Sequence, residues 1–152
     1  MAHYVSGLIA EKSKDTVSAE REYRAAIEAS HGTAHAWLHL AQFMAHTKRF
    51  DEMEQALQTM ETRPLDRPES LMDGASLLLR TGRSYPMATR LLRRYLSSGP
   101  VEEGPAFKAH DYLGQLLEKQ GDRQSAAEEY RAALSLAHEF TRAQENLKRV
   151  SR

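Results

Sequence analysis

Small residues recur in this chain at a fixed interval, and that recurrence limits the possible fold more than any other feature. Gly7, Ala41 and Ala75 stand at successive intervals of 34, and Gly114 follows at 39 beyond Ala75. The extra five positions fall around 97–105, SSGPVEEGP, the only Gly/Pro-rich run. Across the full interval of 107 the pattern returns: Ala19, Tyr23 and Ala26 follow Gly7 at 12, 16 and 19, and Ala126, Tyr130 and Ala133 follow Gly114 at the same offsets. A period of about 20–50 residues marks stacked supersecondary units. Helices cross closely only where side chains are small. Gly7, Ala19, Ala26, Ala41, Gly114, Ala126 and Ala133 therefore mark crossings, and the large residues beside them fill the core.

Helix punctuation falls in step with this period. Gly82 and Gly121 suit C-terminal caps. Ser84 is expected to cap the next helix, with Pro86 in its first turn, and Asp122 is expected to cap another. Together these signals predict nine helices, at roughly 2–13, 17–30, 34–47, 51–62, 68–81, 85–97, 105–120, 123–137 and 140–150. In the last segment Phe140, Ala143, Leu147 and Val150 share one face, and Arg142, Glu145, Lys148 and Arg149 share the other. That division suits a terminal cap with a polar outer surface.

These residues resemble the tetratricopeptide repeat family. Residues 107–140 fit its pattern through Leu113, Gly114, Gly121, Ala126, Tyr130 and Ala133. Residues 1–33 keep Gly7, Ala19, Tyr23 and Ala26. Residues 34–67 keep Trp37, Leu40 and Ala41 but place Met53, Leu57 and Met60 on the second helix. Residues 68–101 diverge most, with Leu71, Ala75, Gly82, Met87 and Leu91 but Arg94 where a small residue is usual. The resemblance implies an all-α, right-handed superhelical solenoid of helix-turn-helix repeats. It would form a single array over 1–152, closed by a capping helix at 141–152.

The resemblance further implies that first helices line a concave groove that takes a peptide or helix. Carried onto this chain, the groove face is His35, Leu38, His39, Gln42 and His46, then Met72, Asp73, Ser76, Leu79 and Arg80, then Lys108, Asp111, Tyr112, Gln115 and Lys119. Tyr112, Leu38 and Met72 are the expected anchors. Tyr4, Val5 and Leu8 occupy the matching face of the first helix. No preceding helix covers that end, so it is also where contact with upstream repeats or a second copy is expected. Some members of the family clamp a chain-terminal carboxylate with Lys, Asn and Arg. The matching positions here are Tyr4, Leu8, His39, Glu69 and Asp73, so that clamp is absent.

His35, His39 and His46 lie at i, i+4 and i+11, one helical stripe. Two imidazoles at i, i+4 can share a metal ion or titrate near neutrality. There is no His-Glu-x-x-His pattern, and no metal or other cofactor is expected. Charge is uneven: residues 51–73 hold seven acids and two bases, and residues 74–101 hold five arginines and no acid. Yet Lys+Arg and Asp+Glu balance at 21 each. That balance argues against a chain built to coat nucleic acid or an anionic membrane. With no cysteine, thiolate metal sites and thiol nucleophiles are excluded. No phosphate loop, nucleophile elbow or dinucleotide fingerprint occurs. No signal peptide or membrane span is read, and the cytoplasm is the favoured compartment. The expected function is a protein-protein interaction scaffold without catalysis. The rival is a spacer or self-associating module that stacks through its N-terminal end.

Overall fold

The computed structural model describes residues 1–98 and 106–152, and among them lie nine α-helices and no strand. They are α1 (Ala2–Lys12), α2 (Thr16–Ala29), α3 (Ala34–His46), α4 (Phe50–Glu61), α5 (Glu69–Thr81), α6 (Tyr85–Ser97), α7 (Ala106–Lys119), α8 (Arg123–Leu136) and α9 (Thr141–Val150). Each end lies within one residue of the sequence expectation. From residue 99 onward the Gly/Pro-rich run, with the end of the expected repeat 68–101, lies outside the described residues.

Four inter-helix turns share one conformation. Lys14, Lys48, Gly82 and Gly121 have φ of 61°, 60°, 68° and 87°. The next residue's N–H reaches back five positions each time: Asp15 to Ala10, Arg49 to Met44, Arg83 to Leu78 and Asp122 to Leu117, at 2.8–3.0 Å. This left-handed closure satisfies carbonyls that a helix end would otherwise leave unpaired. Asp122 caps α8 as expected, accepting the Ser125 N–H at 3.0 Å, and Asp15 does the same for α2 through Ser18. Ser84 does not act as foreseen. Its backbone is itself left-handed, at φ 42° and ψ 53°, and its side chain makes no capping bond.

The described residues form two compact units, Met1–Ser70 and Leu71–Arg152. In the first, α1 packs on α2, α2 on α3 and α3 on α4. Gly7 of α1 leaves room for the ring of Tyr23, which lies 5.4 Å from that of Phe43. The Tyr23 hydroxyl donates to Glu11 at 2.7 Å, and His3 meets Glu22 at 2.9 Å. Arg49 joins Glu20 to Glu52, tying α2 to the start of α4.

The second unit repeats that arrangement from α7 onward. Gly114 faces Tyr130, the Tyr130 hydroxyl donates to Glu118 at 2.9 Å, and His110 meets Glu129 at 2.7 Å. A buried tyrosine needs a partner for its hydroxyl, and the same acid supplies it in both places. Helix α9 then covers α8 with Ala143 and Val150. Arg149 pairs with Glu118 at 2.6 Å, and Arg123 donates to the Arg149 carbonyl at 2.9 Å. Arg149, with help from Tyr130, holds the Glu118 carboxyl below its usual range. Phe140 precedes α9 and sets its ring edge-on against Phe107, with centroids 4.8 Å apart.

Among the described residues no helix is long and apolar enough to cross a membrane.

Candidate functional site

Helix α3 starts without a side-chain cap of its own, and this local fact builds the site. Its first donors are taken instead by the loop after α4. The Ala34 N–H bonds to the Pro64 carbonyl at 3.1 Å, and the His35 N–H bonds to the Asp66 carboxylate at 3.1 Å. The loop is thereby pinned over the first turn of α3, with Asp66 and Arg67 beside His35. A cleft of about 280 Å³ opens there, bounded by Tyr4, Ala26, Thr33, His35, His39 and the loop pair Asp66 and Arg67.

Its walls are aromatic. The Tyr4 ring stacks on His39 with centroids 3.8 Å apart and planes 28° apart. His35 meets His39 edge-on, centroids 4.3 Å apart, with 3.0 Å between their Nε2 atoms. The Ser70 hydroxyl lies 3.2 Å from His35 Nδ1, and Gln42 Oε1 lies 3.3 Å from His39 Nδ1. One chain of donors satisfies all three contacts with both rings neutral. Ser70 donates to His35, His35 donates through Nε2 to His39, and His39 donates through Nδ1 to Gln42. A further proton on His39 Nε2 would set two N–H groups face to face. Burial, and then the neighbouring His35, push the His39 imidazole down to about 4.

The third histidine stands apart. His46 Nδ1 lies 2.6 Å from Glu11 Oε1, so it ties α3 to α1 rather than joining the cleft. Among the described residues no three His, Asp or Glu side chains converge to hold a metal ion.

Three expected groove residues, Leu38, Leu79 and Asp111, must be corrected. Leu38 is 1% exposed and Asp111 is 0% exposed, so neither offers surface to a ligand. At about 100° per residue, Leu38 sits roughly 60° off the line through His35, His39, Gln42 and His46. Asp111 stands in the same place relative to Lys108, Tyr112, Gln115 and Lys119. That offset turns both inward. Leu38 becomes core. Asp111 is satisfied inside the second unit by Gln115 at 2.7 Å, Asn146 at 3.1 Å and Arg142 at 2.6 Å. Leu79 is also buried, at 8% exposure.

The remaining positions reach the surface. Asp73, Arg80, Lys108 and Lys119 are exposed, and Met72, Ser76, Tyr112 and Gln115 are half-buried. Tyr112 is not bare: the Arg142 guanidinium lies 5.2 Å from its ring centroid. Sequence reasoning missed Asp66, Arg67 and Arg142. The first two lie in the RPLDRP loop, outside the repeat pattern, where two prolines were the only cue. Arg142 was read as outward-facing, although its spacing of four from Asn146 puts both on the side that meets Asp111.

Residues 1–64 and 107–140 each match the tetratricopeptide repeat. No curated protein matches the chain. Among solved structures it is similar to MamA, with a TM-score of 0.74 and 17% identity over 98% of this chain and 79% of that one. A second MamA structure, labelled MSR-1, gives a TM-score of 0.70 and 18% identity over 97% and 82%. PilF of Pseudomonas aeruginosa gives 0.73 and 17% identity over 98% and 66%. At these identities the likeness is one of fold.

Proposed function

The chain belongs to the tetratricopeptide repeat family, a family of protein-interaction scaffolds, and on that premise we propose that it captures a peptide or helical segment of a partner protein on its first-helix surface, without catalysis. The observation that carries the reading lies in the first unit. Val5 and Leu8 of α1 are 50% and 36% exposed, and they stand in step with His39 and Gln42, one period further along the chain. Apolar side chains beside half-buried polar rings suit an extended segment or a helix, because apolar contact supplies affinity and the polar groups set register. Met72, Tyr112 and Gln115 are the further contact residues proposed on α5 and α7.

A pull-down from source lysate tests this, comparing the chain with a variant carrying both Leu8→Ala and His39→Ala. A partner retained by the parent and lost with the variant is the expected result. A partner held equally by both overturns the reading.

Self-association is the second reading. It is favoured by Val5, Leu8 and Ile9, which share one face of α1 and are 50%, 36% and 62% exposed. Exposed apolar side chains in one region mark contact surfaces. Light scattering across a concentration series decides it: a constant monomer mass removes the self-association reading.

A further inference from the structure

Resting on the capture reading, we propose that the cleft between Tyr4, His35 and His39 is a pocket for one uncharged aromatic side chain of the captured segment. Size comes first. At about 280 Å³ the cleft falls just below the roughly 300–1,000 Å³ of pockets that take whole small molecules. It has room for one large side chain and little more.

Shape comes second. Tyr4 and His39 already form a stacked pair, and His35 meets that pair at its edge, with 68° between the imidazole planes. Offset-stacked and edge-to-face arrangements are the ones aromatic rings prefer, so a third ring can continue either contact. Ala26 and Ala36 line the same cleft and contribute only methyl groups.

Charge comes third. Asp66 and Arg67 are adjacent and opposite in sign at the rim, and Asp66 is already engaged by the His35 N–H. All four ring nitrogens of the histidine pair are engaged with Ser70, Gln42 or one another. A charged side chain entering the cleft would lose water against ring and methyl carbon, and the adjacent rim charges of Asp66 and Arg67 would largely offset each other's pull on it. An uncharged ring loses little and gains contact on two faces.

Titration with N-acetyl-tryptophanamide at pH 7.5, followed through the NMR signals of Tyr4, His35 and His39, tests the pocket. The amides of N-acetyl-aspartate and N-acetyl-lysine serve as charged probes. The expected result is a saturable shift of those three residues, with the tryptophan probe about tenfold tighter than either charged probe. Ala36→Leu, which fills the cleft, should abolish the shift. Tighter binding of the carboxylate probe, shifts confined to other residues, or no saturable shift in the unaltered chain would each overturn the proposal. The two readings fail separately. A partner lost with the Leu8→Ala, His39→Ala variant but no aromatic binding leaves capture standing and removes the pocket. Aromatic binding with a partner indifferent to that variant removes the capture reading, and with it the role given to the pocket.

Discussion

Adding one methyl group to Gly114 should destabilise the second unit, although the same change in an open helix would stabilise it. A Cβ at Gly114 would lie 2.7 and 2.8 Å from Cδ1 and Cζ of Tyr130 and closer still to Cε1. The ring cannot easily yield. Tyr130 is 0% exposed, and its hydroxyl is held by Glu118, which Arg149 of α9 holds in turn. Forcing a methyl group into a packed core costs about 1–3 kcal/mol. Replacing glycine by alanine within a helix returns about 1 kcal/mol. The tightness of this contact puts the cost at the upper end, so Gly114→Ala should lose about 1–2 kcal/mol. With a urea slope of about 2 kcal/mol per molar, the midpoint should fall by about 0.5–1 M. Gly7→Ala is the internal control. Its Cβ would meet the Tyr23 ring at 3.0–3.2 Å, a contact that a shift of a few tenths of an ångström relieves. Its two effects should nearly cancel. Urea melts followed by helical circular dichroism, on both variants and the parent, measure this. A Gly114→Ala chain as stable as the parent, or a larger loss at Gly7, would refute the reasoning.

Two further outcomes follow from the turns and the cleft. Lys48→Gly removes an L-residue from φ 60°. Relief of about 1–2 kcal/mol of left-handed strain outweighs the roughly 0.5–1 kcal/mol of added chain entropy. Thermal melting should therefore show a gain of up to about 1 kcal/mol, and Gly121→Ala should show a loss of similar size. Acid should weaken the first unit through His39. Its folded value lies near 4, below the ordinary 6.5, so the unfolded chain binds more protons between those values. Stability is then complete above about pH 6.5 and falls as pH drops toward 4. The facing groups are His35 on the same helix, Met1 with its terminal amine, Tyr4 on α1, and Asp66 and Arg67 on the loop, while α2 presents Ala26. The full difference corresponds to about 3 kcal/mol, and water at the exposed ring edge reduces the expected loss to about 1–2 kcal/mol. Urea melts at pH 7.5 and 4.5 should show this slope flattened in His39→Gln, and an unchanged slope would count against a neutral imidazole pair.

How much of this was readable from residues depends on whether a position states its own geometry. A glycine does so at Gly82 and Gly121, where a positive φ costs it little, and at the crossing Gly114, where a Cβ would strike the Tyr130 ring. Lysine does not. Lys14 and Lys48 hold the same left-handed turn, yet nothing in a lysine signals it, and only the single repeat period that separates Lys14 from Lys48 and Lys48 from Gly82 could have given them away. The groove face shows a different limit. Register arithmetic places a residue on a helix to within about 100° steps, and a face about 120° wide includes positions that neighbouring helices already cover. Tyr4, Leu38, Met72 and Asp111 share one such position at the inward edge, and they are half-buried, buried, half-buried and buried. What decides each case is the helix packed beside it, which no local pattern encodes. Asp111 makes this plain. A carboxylate at an expected ligand face turns inward because α9, distant in sequence, brings Asn146 and, through it, a rim for Arg142. The cleft depends on a similar long-range event. Two histidines four apart were visible at once, but they become a walled pocket only because Tyr4 comes from α1 and the RPLDRP loop closes the uncapped start of α3.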